Sequence, residues 1–298
     1  MIKLPFGVDV HNLIEDLREF SWKAADILFF YSNLIKNSDQ KIEILKNKNK
    51  SNPVTLADLE VNDYIINKIN QKYHDVNWEI LSEENFKIKS NFNNKAEWLW
   101  VLDPLDGTKD FIQGTGNYAM HLALNYRQKP YIGVVLIPEK NELWISHGEK
   151  IWCESRNGSI RKQNMSETNL LKEMTIVTSK NHRNKKLKHL IEKIDFKKTI
   201  LMGSVGCKVS SILRGESDIY IALSLPGKSS PKDWDFAAPE AILNAAGGMI
   251  TNIDGSALVY GKNDLQHPGI IIATNNKQNH KRICSQINQI IQKYSIYP

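Results

Sequence analysis

Residues 101–111, VLDPLDGTKDF, end an apolar run with two aspartates three positions apart, followed by glycine, threonine and lysine. Two further sets of acids stand in comparable settings. Glu83 and Glu84 follow the apolar VNWEIL of residues 76–81, and Asp235 falls within KDWDFAAPEAIL, residues 232–243. An unpaired carboxylate is expensive to bury, so five acids at the ends of apolar segments imply that cations hold them there. Oxygen donors with no His or Cys beside them select a hard ion, Mg²⁺ with Mn²⁺ as a substitute, over zinc. Taken alone, Asp235 reads equally well as a residue capping the helix that follows it.

The centre of this segment has its own logic. Pro104 predicts a turn that aims Asp103 and Asp106 at one point and turns the Leu105 carbonyl inward. Gly107 lets the backbone pass close to a ligand, and Thr108 opens a helix whose first N–H groups favour a phosphate. Cation ligands beside a phosphate cradle describe a site for phosphate esters.

The elements that must position these residues follow from periodicity. Leu13, Leu17, Phe20, Ala24, Ile27 and Leu28 recur at helical spacing within residues 10–35, and a second helix begins near Thr55 with Ile65, Ile69 and Tyr73 on its inner face. The lysine-rich KIEILKNKNK of residues 41–50 lies between them as a polar loop. Strands are predicted at 76–81, 97–102, 118–126, 131–137 and 142–147, so the first half is a helical pair on a sheet. Trp98 and Trp100 alternate with Leu99 and Val101 as sheet packing, and His121 reads as a packed residue of an alternating strand. After a polar stretch at 155–170 the pattern becomes strand–helix alternation. Strands are expected at 174–180, 199–204, 217–223, 248–253 and 269–274, with helices at 184–194, 208–215, 236–246 and 278–294. Two units are therefore expected, residues 1–160 and 161–298.

Composition narrows the class. With 298 residues, 41% hydrophobic and 24% charged, the chain can fill more than one core. A net charge of +6 comes partly from residues 41–50 and 180–189, which interleave no aromatics and so suit small anions better than nucleic acid. Three dispersed cysteines, Cys153, Cys207 and Cys284, fit a reducing compartment. No window reaches the length of a membrane span and the N-terminus has no apolar leader, so the expectation is a cytoplasmic protein without membrane or nucleic-acid partners.

LSEEN, LDPLDGTKDF and DWDFAAPEAILNAAGG resemble, in order and spacing, the three signature motifs of the inositol monophosphatase superfamily of Mg²⁺-dependent, lithium-sensitive phosphatases. PVTLADLEVN at residues 53–62 is similar to that family's mobile metal loop and the helix after it. The resemblance implies an αβαβα sandwich of the inositol monophosphatase and fructose-1,6-bisphosphatase type, and two or three Mg²⁺ ions. It assigns Glu83, Asp103 and the Leu105 carbonyl to one ion, and Asp103, Asp106 and Asp235 to a second. Asp58 and Thr108, with Glu83 close by, resemble the group that orients and deprotonates the attacking water. One ion acidifies that water and the other stabilises the leaving oxygen.

The residues after D-G-T bear on the substrate. TKDF is similar to the version in the family's 3′(2′),5′-bisphosphate nucleotidases, where Lys109 suits a second phosphate; Lys109 reads alternatively as a solvated residue of the first helical turn. GSVGCKVSSILRGESDIYI resembles their substrate loop, making Ser204, Gly206 and Lys208 candidate nucleotide contacts alongside Gly107, Thr108 and Asp235. Cys207 departs from the polar or small residue of some relatives. Lys228 and Lys232 precede the third motif and suit a doubly phosphorylated ligand. The implied reaction is removal of the 3′-phosphate from adenosine 3′,5′-bisphosphate, giving AMP, by a monomer or homodimer. Inositol 1-phosphate or another small phosphate ester is the alternative substrate. A haloacid-dehalogenase mechanism needs D-x-D, and the D-x-x-D of Asp103 and Asp106 excludes it. A non-enzymatic anion-binding role leaves the converging acids unexplained.

Overall fold

The computed structural model describes residues 2–37, 55–88, 96–181 and 183–297. The lysine-rich segment 41–50 lies outside the described residues. Five layers alternate helices and sheets. The outer helix layer comprises α1 (Val10–Asn37) and α2 (Leu56–Lys72). It covers a seven-stranded sheet whose spatial order equals its chain order. Those strands are β1 (Glu79–Ser82), β2 (Trp98–Asp106), β3 (Ala119–Tyr126), β4 (Lys129–Ile137), β5 (Glu142–His147), β6 (Lys150–Glu154) and β7 (Ile160–Arg161). Two short helices, α3 (Glu83–Ile88) and α4 (Thr108–Gln113), leave the ends of β1 and β2.

The second sheet runs β11 (Met249–Asn252), β12 (Gly269–Thr274), β10 (Ile219–Ser224), β8 (Thr175–Ser179), β9 (Lys198–Met202). Helices α6 (Val205–Leu213) and α7 (Asp233–Ala245) lie between the sheets, and α5 (Lys185–Ile194) and α8 (Lys277–Lys293) close the far side. The chain leaves the first sheet after Arg161 and enters the second at Thr175.

Alternation along β2 shows how these layers follow from sequence, because successive side chains of a strand face opposite ways. Trp98, Trp100 and Leu102 pack with Leu17, Phe20, Val61 and Ile65 of the outer helices. Leu99 and Val101 face the middle layer, with Val209 of α6 and Phe236 of α7. Asp103, next in the odd series, belongs on the middle-layer side. A third core joins Ile219 and Ile221 of β10 to Leu187 and Leu190 of α5 and to Ile283 and Ile287 of α8. A strand buried on both faces reads as one continuous apolar run, which is why β2 looks uniformly hydrophobic.

Several boundaries differ from the expectation. Residues 103–106 form no turn: β2 continues through Asp106, with an irregularity in its pairing to β3 between Asp103 and Asp106. Strand β6, at residues 150–154, adds to the strands read from the sequence, and β7, at residues 160–161, falls within the stretch read as a polar connection. Helix α6 starts three residues earlier than the sequence suggests. Gly206 looks like loop, but the Ser204 side chain caps the helix by accepting from the Cys207 N–H at 3.2 Å. Helix α7 likewise starts at Asp233, placing Asp235 inside its first turn.

Candidate active site

The site forms where β1, β2, α2, α6 and α7 end or begin. Parallel pairing of β1 with β2 sets Ser82 opposite Leu102, so Glu83 emerges beside Asp103. The irregularity in β2 has a geometric consequence. Asp103 pairs with His121 and Asp106 with Ala119, so three steps along β2 match two along β3. One extra residue restores side-chain parity, and Asp106 returns to the side that Asp103 faces. Leu105 is meanwhile buried against the outer helices.

Carboxylate oxygens of Asp103, Asp106 and Asp235 lie within 4.8 Å of one another. Each is also held by a backbone donor. The Leu105 N–H donates to Asp103 Oδ1 at 3.0 Å, the Lys232 N–H to Asp235 Oδ2 at 2.6 Å, and the Val205 N–H to Asp106 Oδ2. Asp235 thus caps its helix and joins the acid cluster at once, so the two readings of this residue are compatible. Burial, then the charges of Glu83, Asp106 and Asp235, holds the Asp103 carboxyl well above the usual range. Burial and Asp106 raise Asp235 to about 8. Glu83 contributes to the upward shift of Asp58, Asp103 and Asp235 alike, which locates its charge among them.

These residues fit a divalent cation. The donor set is all oxygen, the carboxylates are pre-oriented by backbone N–H groups, and the cluster opposes its own ionisation unless positive charge enters it. Lys208 is a buried cation nearby. Its pKa is lowered by burial and supported by Asp106 and Asp235, and its Nζ sits 5.0 Å from the Tyr220 ring centre.

Asp58 approaches from α2. Thr55 caps that helix, and both its N–H (2.8 Å) and its hydroxyl (2.6 Å) donate to Asp58 Oδ2. The other oxygen, Oδ1, lies 3.3 Å from Thr108 Oγ1, which is also 3.1 Å from the Leu105 carbonyl. Burial, opposed by the Thr55 bonds, brings Asp58 up to about 7. Gly107 has φ +90°, and a Cβ there would meet Asn117 O at 2.9 Å and Ser204 N at 3.1 Å. Only glycine fits where the second motif crosses the start of α6.

The candidate substrate residues divide. Thr108 and Lys109 are half-buried at the start of α4, and Lys228 is exposed. The Lys232 ammonium donates to Asp264 O at 3.1 Å and lies 6.0 Å from the ring centre of Phe86, which in turn packs on Trp234. Ser204, Gly206 and Lys208 are buried, with the Gly206 N–H committed to His121 Nε2 at 3.1 Å.

Two residues make contacts at this site that the sequence did not foretell. Asp110, the acid of TKDF, accepts from Thr115 Oγ1 and Asn181 Nδ2, each at 2.7 Å, and a Cβ on Gly203 would sit 2.5 Å from it. It fastens α4 to Asn181, just beyond the end of β8, and packs against Gly203 after β9. His121 is buried beside Asp106, with Nε2 3.4 Å from Asp106 Oδ2. Its place opposite Asp103, on the face shared with Ala119 and Ala123, was available from strand parity once the β2–β3 register was known.

The family model for the inositol monophosphatase family matches residues 9–292, so the chain belongs to that family of phosphatases. It is 31% identical over 226 residues to the 3′(2′),5′-bisphosphate nucleotidase CysQ of Buchnera aphidicola, covering 75% of this chain and 80% of that protein. Identity to the CysQ of Escherichia coli K12 is 29% over 215 residues, covering 72% and 81%. Among solved structures, an IMPase from Thermotoga maritima superposes with a TM-score of 0.72 at 21% identity, covering 95% of this chain and 99% of that one. An inositol monophosphatase from Anabaena gives 0.68 at 21%, covering 94% and 96%. These likenesses establish the αβαβα sandwich.

Proposed function

We propose that this protein is a Mg²⁺-dependent phosphomonoesterase that removes the 3′-phosphate of adenosine 3′,5′-bisphosphate, releasing AMP and inorganic phosphate. The observation that carries the reading is the convergence of Asp103, Asp106 and Asp235 within 4.8 Å, with the charge of Glu83 among them. Glu83, Asp103 and the Leu105 carbonyl would hold one ion, and Asp103, Asp106 and Asp235 a second, with Mn²⁺ as a substitute. When bound, the ions supply positive charge that acidifies water and offsets charge on the phosphoryl and leaving oxygens.

The chain's own groups do the rest. Thr108 Oγ1 and Asp58 Oδ1 form a pair, 3.3 Å apart, that orients the attacking water and receives its proton. The water oxygen forms the new P–O bond as the bond to the ribose 3′-oxygen breaks, and that oxygen leaves as a hydroxyl after taking up a proton. Thr55 holds Asp58 Oδ2, which leaves Oδ1 as the oxygen turned to Thr108 and the water. The nucleotide assignment rests on the CysQ relatives and on the TKDF segment, where Lys109 carries charge at the start of α4.

Phosphate release should be compared among adenosine 3′,5′-bisphosphate, inositol 1-phosphate, fructose 1,6-bisphosphate and histidinol phosphate with Mg²⁺ present. A kcat/KM for the nucleotide at least roughly tenfold above the others, about 1.4 kcal/mol of transition-state preference, is expected. Preference for inositol 1-phosphate overturns the substrate and leaves the metal site standing.

A further inference from the structure

We infer that His121 is a positioning residue of the metal centre, holding α6 and α7 at the spacing that brings Asp106 and Asp235 onto a common cation. The inference rests on the proposed reading of those acids as metal ligands. Its geometric basis is a single buried ring that touches every element bearing on that pair. His121 is the cross-strand partner of Asp103, so its backbone is tied to β2 at the level of the site. Its Nδ1 lies 3.2 Å from the Trp234 carbonyl, an acceptor, so Nδ1 carries the proton. Trp234 immediately precedes Asp235. The other nitrogen, Nε2, accepts the Gly206 N–H at 3.1 Å, in the first turn of α6. The neighbouring N–H of that turn, from Val205, donates to Asp106 Oδ2.

The fit is close on the α6 side. A Cβ on Gly206 would lie 2.3 Å from His121 Nε2, so the missing side chain at 206 is what admits the ring. An aliphatic side chain at 121 could fill the same space between sheet and helices. It could not bond both helix starts at once, and outer groups that orient ligands commonly alter metal affinity about 10–100-fold when removed.

The test is Mn²⁺ binding without substrate, followed by electron paramagnetic resonance of the free ion. The binding event abolished in Asp106→Asn reports the Asp106–Asp235 position. His121→Asn keeps a donor for the Trp234 carbonyl and lacks the reach to Gly206. Its dissociation constant for that event should rise about tenfold, with the other event unchanged and the far-ultraviolet circular dichroism of the wild type retained. His121→Gln, read in its place if the Asn variant does not fold, should weaken the same event at least roughly threefold. Both events within twofold of wild type overturn the inference while leaving the metal reading intact. If neither variant folds, the ring belongs to the core and the inference is equally overturned. Wild-type protein that binds no Mn²⁺ overturns the metal reading and this inference with it.

Discussion

Replacing Asp106 by Asn should move the stability of this protein in opposite directions depending on whether metal is present. In the metal-free protein, carboxylate oxygens of Asp103, Asp106 and Asp235 lie within 4.8 Å of one another. At an effective dielectric constant of about 20, two unit charges at that separation repel by about 3 kcal/mol. Proton uptake by Asp103 and Asp235, both held high partly by Asp106, relieves some of this cost. The net gain on neutralising Asp106 is therefore about 1–2 kcal/mol. The amide oxygen of Asn can still accept the Val205 N–H, so the helix contact survives. With metal the sign reverses. An ion at about 100 times its dissociation constant stabilises the wild type by about 2.7 kcal/mol, and the variant forfeits that for the Asp106-dependent ion. Differential scanning calorimetry should show the variant melting about 2–6 °C above wild type in EDTA, and below it in saturating Mg²⁺. An Asp106→Asn protein that melts lower in EDTA, or keeps the full Mg²⁺ shift, refutes the argument that these acids are held together for a cation.

Other consequences follow from neighbouring groups. Thr108→Val should lower kcat by about a hundredfold or more in steady-state assays while Mn²⁺ binding persists; unchanged turnover removes Thr108 from the chemistry. Glu240, bonded to Tyr260 and Asn244, is raised by burial from 4.5 to about 7. The folded chain therefore keeps a proton that the unfolded chain loses between about pH 4.5 and 7, and stability falls by about 3 kcal/mol across that window as pH rises. Glu240→Gln should flatten the dependence of melting temperature on pH between 5 and 8 by about 5 °C relative to wild type, and parallel profiles contradict this. Asp110→Ala breaks the contacts to Thr115 and Asn181 and should cost about 2–3 kcal/mol in chemical denaturation; a loss below about 0.5 kcal/mol rejects its fastening role.

How much of this was legible in the sequence depends on whether a residue's partners were local. The acids of the three motifs stood out because apolar runs rarely end in carboxylates, and the parity of β2 from Trp98 to Asp103 already assigned its two faces. The irregularity between Asp103 and Asp106 was not legible, since Pro104 is equally compatible with a turn and only pairing with β3 distinguishes them. The start of α6 was hidden by Gly206, whose small size serves His121, 85 residues away in sequence, and not a loop. His121 itself looked like a packed strand residue. It is one, but its two nitrogens find acceptor and donor on helices whose approach no local pattern encodes. The same holds for Asp110, to which the sequence assigned no role and which is bonded across the layers to Asn181.

The most direct test of the central claim is anomalous diffraction from a crystal soaked in Mn²⁺. One peak is expected among the carboxylate oxygens of Asp103, Asp106 and Asp235, and a second near Glu83, Asp103 and the Leu105 carbonyl. Saturating Mn²⁺ with no anomalous density among these residues would contradict it.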